Sequence, residues 1–493
     1  MANGRKARGG RFVAAAAAAT FLLSGPLAGQ ALRPHPVDLG EPYREADYRP
    51  IAEAIGTAPV VALGESIHIS REMPLVRLRL LRALHGTRGV DALVLEGSLV
   101  NAWTAQEHAY RSKAPLDERA RTFAREALFG LWQTDDMEQV IAYALSTQRG
   151  PRPIYLTSFD LQPESARAYA GSSQPSMDAF VTALRAIDPQ LDPKRARGWS
   201  DALGPVLGCH GEPGQDEVGP IRAVADLESW IASRAGPLLA AGRPPAHLAA
   251  LRLVPQMMRS RLQHCREVKA PGGASSVYQR VRDEMNAKLV VSLMRDMPRL
   301  VLWAHHSHLH HNSLGGSTPS MGQHLKAVLG DRLYTVGVFA GGGAAIDSLE
   351  VESAAGAGIV AALAGRPLPR GAQFGVERRL SGLSDRDFFV DLRGAPPQWA
   401  QPDFSRLEVG ARMPTALASD FDGAILLHEV SGAELNFLPA PFRGAVRAVG
   451  WVLRNPVLAA LGALLVLLAL GAGIRGLWRR WRARRARRGT AAA

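Results

Sequence analysis

Between residues 59 and 427 the chain repeats one pattern. A short apolar run ends on a polar residue, and a longer stretch with apolar positions three and four apart follows. Runs of four to eight apolar residues bounded by turns read as buried strands. Pro59–Leu63 ends at Gly64-Glu65, Val90–Leu95 at Glu96, Ile154–Phe159 at Asp160 and Leu300–Ala304 at His305. Arg332–Phe339 runs into Gly341-Gly342-Gly343, and Ala424–Leu427 reads as a sixth strand. Helical spacing marks Arg71–Leu84, with Leu75, Leu78 and Leu81 on one stripe. It also marks Glu118–Gly130, Asp135–Gln148, Met177–Ile187, Ala223–Ala240, His247–Cys265 and Val277–Met294. Strands that are apolar along their whole length need cover on both faces, which is the habit of parallel sheets. The pattern predicts an α/β fold with a mostly parallel central β-sheet flanked by helices. A helical insertion is expected at about 189–275, a surface loop at 354–375 and a linker at 431–455. No internal repeat is found.

Charge changes the picture at the two ends. The chain has 493 residues, 47% of them apolar, which excludes general disorder. Its net charge is +13, yet residues 1–31 carry +4 and residues 475–493 carry +8, leaving +1 for the body. A nearly neutral body gives no footprint for nucleic acid. The first 31 residues have the layout of a signal peptide: basic residues to Arg11, the uncharged run Phe12–Leu23, then Gly29 and Ala31 as small residues before a cleavage point. Residues 456–474 hold no charge, enough to span the ~30 Å core of a bilayer as one C-terminal transmembrane helix. Eight arginines follow, so the positive-inside rule puts the tail in the cytoplasm and residues 32–430 outside it. The expected location is a bacterial cytoplasmic membrane, with the folded domain periplasmic. Cys209 and Cys265 are the two cysteines; a disulfide and a pair of buried thiols both stay open.

The informative chemistry is where ionisable residues fall. Glu65, Glu96, Asp160 and His305 each end a predicted strand. Ligands of open α/β sheets bind at the carboxyl ends of the strands, so these four belong at one edge. Asp160 alone also reads as a turn cap. Gly64-Glu65-Ser66-Ile67-His68 spaces a carboxylate and an imidazole by three, and His305-His306-Ser307-His308 does the same for two imidazoles. On a helical turn such pairs face one point. His306, His310 and His311 read as a surface loop. Gly-x-Ser-x-Gly is absent, and neither Ser66 nor Ser70 stands out as a nucleophile.

The segment Val60-Val61-Ala62-Leu63-Gly64-Glu65-Ser66-Ile67-His68-Ile69-Ser70-Arg71-Glu72 resembles the opening motif of the erythromycin esterase family. Leu93-Val94-Leu95-Glu96-Gly97 and Trp303-Ala304-His305-x-x-His308 resemble later ones, and the spacings from His68 to Arg77 and Glu96 agree. Weaker matches are Ser158-Phe159-Asp160, Arg282-Asp283-Glu284-Met285, Met321-Gly322-Gln323-His324-Leu325 and Asp420-Phe421-Asp422. The resemblance covers about residues 50–430. The family usually has Thr and Gly where this chain has Ile67 and Ile69, and Asn-Gly where it has His306-Ser307. These departures are expected to change the polarity around the site.

The resemblance implies hydrolysis of a small-molecule ester or lactone by an activated water. His68 would be the general base, and Glu65 or Glu96 would orient it. Arg77 would neutralise carboxylates or the oxyanion. His305 and His308 would bind the carbonyl oxygen or protonate the leaving alcohol, with Asp160 and Trp303 contacting substrate. No metal or other cofactor is favoured. A Zn²⁺ or Mn²⁺ ion on Glu65, His68, Glu96, His305 and His308 is the competing expectation, as in a metal-dependent hydrolase or peptidase. A haem- or ligand-binding protein without turnover is the third.

Overall fold

A computed structural model of the chain describes residues 31–162, 173–209, 218–269, 275–312, 318–348, 365–368 and 375–435. The expected signal segment up to residue 30, the span at 456–474 and the arginine tail lie outside the described residues, as does most of the expected linker. Among the described residues no helix is long and apolar enough to cross a membrane.

The strands are β1 (His35–Pro36), β2 (Val60–Glu65), β3 (Ala92–Ser98), β4 (Tyr155–Asp160), β5 (Leu300–His305) and β6 (Leu333–Ala340). Then come β7 (Gly343–Ala345), β8 (Arg366–Leu368), β9 (Phe388–Asp391), β10 (Asp403–Leu407), β11 (Ala411–Thr415) and β12 (Gly423–Leu427). Eight of them form one sheet in the order β1–β9–β12–β6–β2–β5–β3–β4. The six strands expected from the apolar runs are the parallel part of that sheet, from β12 to β4. Strands β9 and β1 extend it antiparallel at one edge.

Helices α1 (Glu45–Ile55), α2 (Glu72–Arg88), α3 (Leu99–Arg111), α4 (Leu116–Ala127) and α5 (Asp135–Thr147) accompany the first half. Helices α6 (Gln174–Ile187), α7 (Pro193–Leu207), α8 (Val218–Ala240), α9 (Pro245–Lys269) and α10 (Ser275–Leu293) all fall between β4 and β5, α6 and α10 being the helices expected on either side of 189–275. Short α11 (His306–Leu309) and α12 (Met321–Leu329) follow β5, and α13 (Gly375–Ser381) precedes β9.

Alternation along the strands sorts the core into two layers. Val61, Leu63, Leu93, Leu95, Val301 and Trp303 face one side, packed with Ile51, Leu80, Phe123 and Ile141 of α1, α2, α4 and α5. Val60, Ala62, Ala92, Val94, Leu300 and Leu302 face the other, packed with Trp103, Phe180, Trp199, Leu251 and Val290 from α3, α6, α7, α9 and α10. Full burial of each large side chain contributes about 1.5–3 kcal/mol, so a polar residue within these strands would be costly. Polar side chains are admitted where the strands end, and that places the chemistry at the carboxyl rim.

Candidate active site

Two polar networks meet at that rim, one from each face of the sheet. On the α2 face Glu65 closes β2 and pairs in register with His305 at the end of β5. Both continue the parity of Leu63 and Trp303. Glu65 is fully buried. It accepts hydrogen bonds from His68 Nδ1 (2.8 Å) and Trp132 Nε1 (2.8 Å), while its second oxygen pairs with Arg77. Arg77 rises from α2, donates from Nε to the Met73 carbonyl (3.1 Å) and lies 3.4 Å above the centre of the Trp303 ring.

On the α10 face stands Glu96, whose strand breaks register with β4 between Leu95 and Ser98. Its Oε2 accepts the backbone N–H of His305 (2.9 Å), which ties the two networks together. Its Oε1 lies 3.3 Å from His308 Nε2 and 3.5 Å from Arg282 Nη2. His308 Nδ1 donates to Asp283 (2.7 Å), and Arg282 also grips Asp160, including a bond from Nε at 3.0 Å.

The expected residues therefore converge, but not in the expected pairs. Glu65 and His68 share no helical turn; residues 66–71 form a loop, and His68 is aimed by its own backbone N–H on Glu408 Oε1 (3.0 Å). His305 and His308 diverge: His305 stacks beside His68, ring centres 4.3 Å apart, while His308 turns to Glu96 and Asp283. Trp303 and Asp160, expected to touch substrate, are each 1% exposed, one under Arg77 and the other under Arg282. They hold these cations in place. Arg77 is equally buried and is paired with Glu65, the carboxylate partner expected of it. His68 is the member that solvent reaches, with 14% of its side chain exposed.

His306 corrects the surface-loop expectation. It is fully buried, accepts the Val338 N–H at Nε2 (3.0 Å) and packs between Phe339 and Phe421. A Cβ on Gly64 would lie 2.5 Å from its ring, so the Gly of the Gly-Glu motif makes room for this histidine. His311 is also buried, on Thr335 (2.8 Å). Ile67 and Ile69 are fully buried as well. Of the departures from the family pattern, Ile67, Ile69 and His306 thus lie in the interior, while the Ser307 hydroxyl meets His305 Nδ1 (2.8 Å) beside the site.

The sequence pattern does not single out Glu408 or Trp132. Glu408 sits at the turn between β10 and β11, at φ 58°, a region that non-glycine residues seldom occupy. The turn is held by its N–H on the Ser66 carbonyl (2.7 Å), and its carboxylate also accepts the Ser348 N–H (3.3 Å). No apolar run announces a hairpin there. Arg282 and Asp283 had a signal in their weak motif match.

Charge is sharply sorted within this space. Burial alone would lower the pKa of His68, but Glu408, Glu65 and Glu96 outweigh it and raise it to about 9. Burial opposes ionisation of Glu96 as well, yet the His308 and Arg282 cations hold its pKa well below the usual carboxylate range. His308, buried but flanked by Asp283 and Glu96, is lifted to about 10. His305 goes the other way: burial, then the neighbouring His68 cation, push it well below the ordinary value, so it is neutral. A charged and a neutral imidazole face each other over Glu408.

The metal set expected from the sequence does not gather around one point. Glu65 is committed to Arg77, Trp132 and His68 Nδ1, and Glu96 and His308 are committed to each other, Arg282 and Asp283. Ligand atoms of His68, His305 and Glu408 do lie within 4.8 Å of one another. Cys209 and Cys265 form a disulfide, so the neighbouring His264 has no thiolate partners.

The sequence model of the family described as erythromycin esterase matches residues 85–430. The YbfO protein of Bacillus subtilis (strain 168), which carries a provisional hydrolase name, is 22% identical over 325 residues, 61% of this chain and 69% of its own. Among solved structures, a Bacillus cereus protein superposes with a TM-score of 0.63 at 14% identity, over 82% of this chain and 96% of that one. The erythromycin esterase EreC, solved as a histidine-to-asparagine mutant in its open conformation, gives 0.55 at 18% identity, over 82% and 98%. At these identities the structural likeness concerns the fold.

Proposed function

The chain belongs to the erythromycin esterase family, and from that membership we propose that it hydrolyses an ester or lactone with water as the nucleophile and no resident metal. The observation that carries this reading is the Glu65–His68 hydrogen bond (2.8 Å) under the side chain that solvent reaches. It has the base-and-orienter arrangement of general-base catalysis. Water held at His68 Nε2 attacks the carbonyl carbon and gives its proton to that nitrogen. Glu65, itself fixed by Trp132 and Arg77, steadies the imidazolium. The oxyanion forms at the rim beside His68, and as the C–O bond breaks the leaving oxygen takes that proton back from His68 Nε2. The products are a carboxylic acid and an alcohol.

A second reading makes His305 the base, because it is neutral and its buried Nε2 has no hydrogen-bond partner. We extend the proposal to place: an exported enzyme tethered by residues 456–474, acting on a small-molecule ester or lactone outside the cytoplasmic membrane.

A panel of chromogenic esters and lactones, run with wild type and His68→Ala after a thermal melt confirms folding, tests the hydrolytic reading. The variant is expected to lose about 10²–10⁴-fold in kcat/KM, the usual share of a positioned base. Equal rates across the panel would sink it.

A further inference from the structure

We propose that His68, His305 and Glu408 form a binding site for one divalent transition-metal ion of the Zn²⁺ class. Glu408 Oε1 lies 3.8 Å from His68 Nε2 and 3.6 Å from His305 Nε2. A tetrahedral ion with bonds of about 2.0–2.2 Å separates its ligand atoms by about 3.3–3.6 Å; the two carboxylate–imidazole separations are within tenths of an ångström of that, and all three ligand atoms lie within 4.8 Å of one another. Imidazole and carboxylate are ligands that zinc takes.

Each ligand is already steered by a further contact. His68 holds Glu65 Oε1 through Nδ1 (2.8 Å), and His305 holds Ser307 Oγ through Nδ1 (2.8 Å), which turns both Nε2 atoms inward. Outer partners of this kind orient metal-ligating histidines. The Glu408 carboxylate is pinned by the N–H groups of His68 and Ser348. The independent pointer to a ligand is His305 Nε2 itself. His305 is 5% exposed, yet that nitrogen has no hydrogen-bond partner. A buried polar atom left unpaired calls for an explanation, and an ion supplies one. Three protein ligands leave the fourth position open, as in sites that also admit water or substrate.

Occupancy would take the nitrogen that the hydrolytic reading assigns to the base, so the bound ion is expected to slow metal-free hydrolysis. The binding site does not depend on that reading. The test titrates the untagged full chain, first stripped by chelator, with Co²⁺ and then Zn²⁺. Visible ligand-field bands of four-coordinate Co²⁺, saturating at one ion per chain and abolished by Zn²⁺, are expected. Glu408→Gln and His305→Ala should each weaken binding at least tenfold in chains whose thermal melts remain cooperative. X-ray absorption of the Zn²⁺-loaded wild type needs no variant and should show two imidazoles and oxygen at about 2.0–2.1 Å. Absence of the bands, full binding in both variants, or sulfur ligation would overturn the site. Hydrolysis that rises with the bound ion would keep the site and overturn the metal-free reading above.

Discussion

His68 stands among three carboxylates. Glu408, Glu65 and Glu96 together overcome its burial and raise its pKa to about 9. A base must be neutral to accept a proton, so at pH 7 only about one molecule in a hundred is competent. If His68 is the base, kcat/KM of the metal-stripped enzyme rises about tenfold per pH unit and levels near pH 9. If His305 is the base, it is neutral throughout and that alkaline limb is missing. A pH–rate profile decides between them, and Glu408→Gln should move the limb of a His68 base toward lower pH. Glu377 of α13 gives a stability counterpart. Burial pushes its carboxyl up to about 7 against the hydrogen bond from Arg406 N–H, and Oε2 has no partner. Between about pH 4.5 and 7 the unfolded chain releases this proton while the folded one keeps it, so wild type loses stability as pH rises. Glu377→Gln has no such loss. Its stability relative to wild type should improve by about 1–3 kcal/mol between about pH 4 and pH 8, measured by urea unfolding at each.

Elements differ in how plainly they announce themselves. The six parallel strands were legible because both faces are buried, which keeps charged residues out until the rim and admits few polar ones, such as Thr157, Ser158 and Thr335. That same rule made Glu65, Glu96, Asp160 and His305 legible as rim residues. Helix α3 was not, because it starts directly after β3 with no turn between and both its sides are packed, so no polar stripe marks it. The β10–β11 hairpin was not, because Asp403–Leu407 mixes charge and apolar residues without a run. With it went Glu408, a site residue delivered by a turn and not by a parallel strand. His306 misled because sequence cannot show that Gly64 has cleared a space for an imidazole. The disulfide is an element-scale device: it joins the residues just after α7 to α9 across 56 positions. In the chain-entropy picture a closed loop of that size stabilises by about 4 kcal/mol. Cys209→Ala/Cys265→Ala should therefore lower the urea midpoint. Since the site's residues lie outside that loop, kcat/KM should be unchanged at temperatures where the variant is folded.

At the scale of the whole molecule, charge and chemistry are separated. The body is close to neutral, while twelve basic residues sit in the first 31 and last 19 positions. Among the described residues, the groups that build the site run from Glu65 to Glu408. Among the described residues, the last ties to that part of the fold are the Ser431 N–H and hydroxyl, both donating to Glu72 (2.6 Å), and the bridge between Leu435 and Thr134. Cutting after residue 435 should therefore leave kcat/KM intact while moving the protein from the membrane to the soluble fraction. Two causes could hold the full chain on a membrane, and salt separates them. An arginine tail lying on anionic lipid is an exposed electrostatic contact, screened within about 3 Å at 1 M salt and washed off. An uncharged span of nineteen residues is held by burial in hydrocarbon, which salt does not weaken. The full chain should stay with the pellet through a 1 M salt wash and leave only with detergent. Release by salt alone would reduce 456–474 to a peripheral contact, and recovery of the full chain in the soluble fraction would remove the tether altogether.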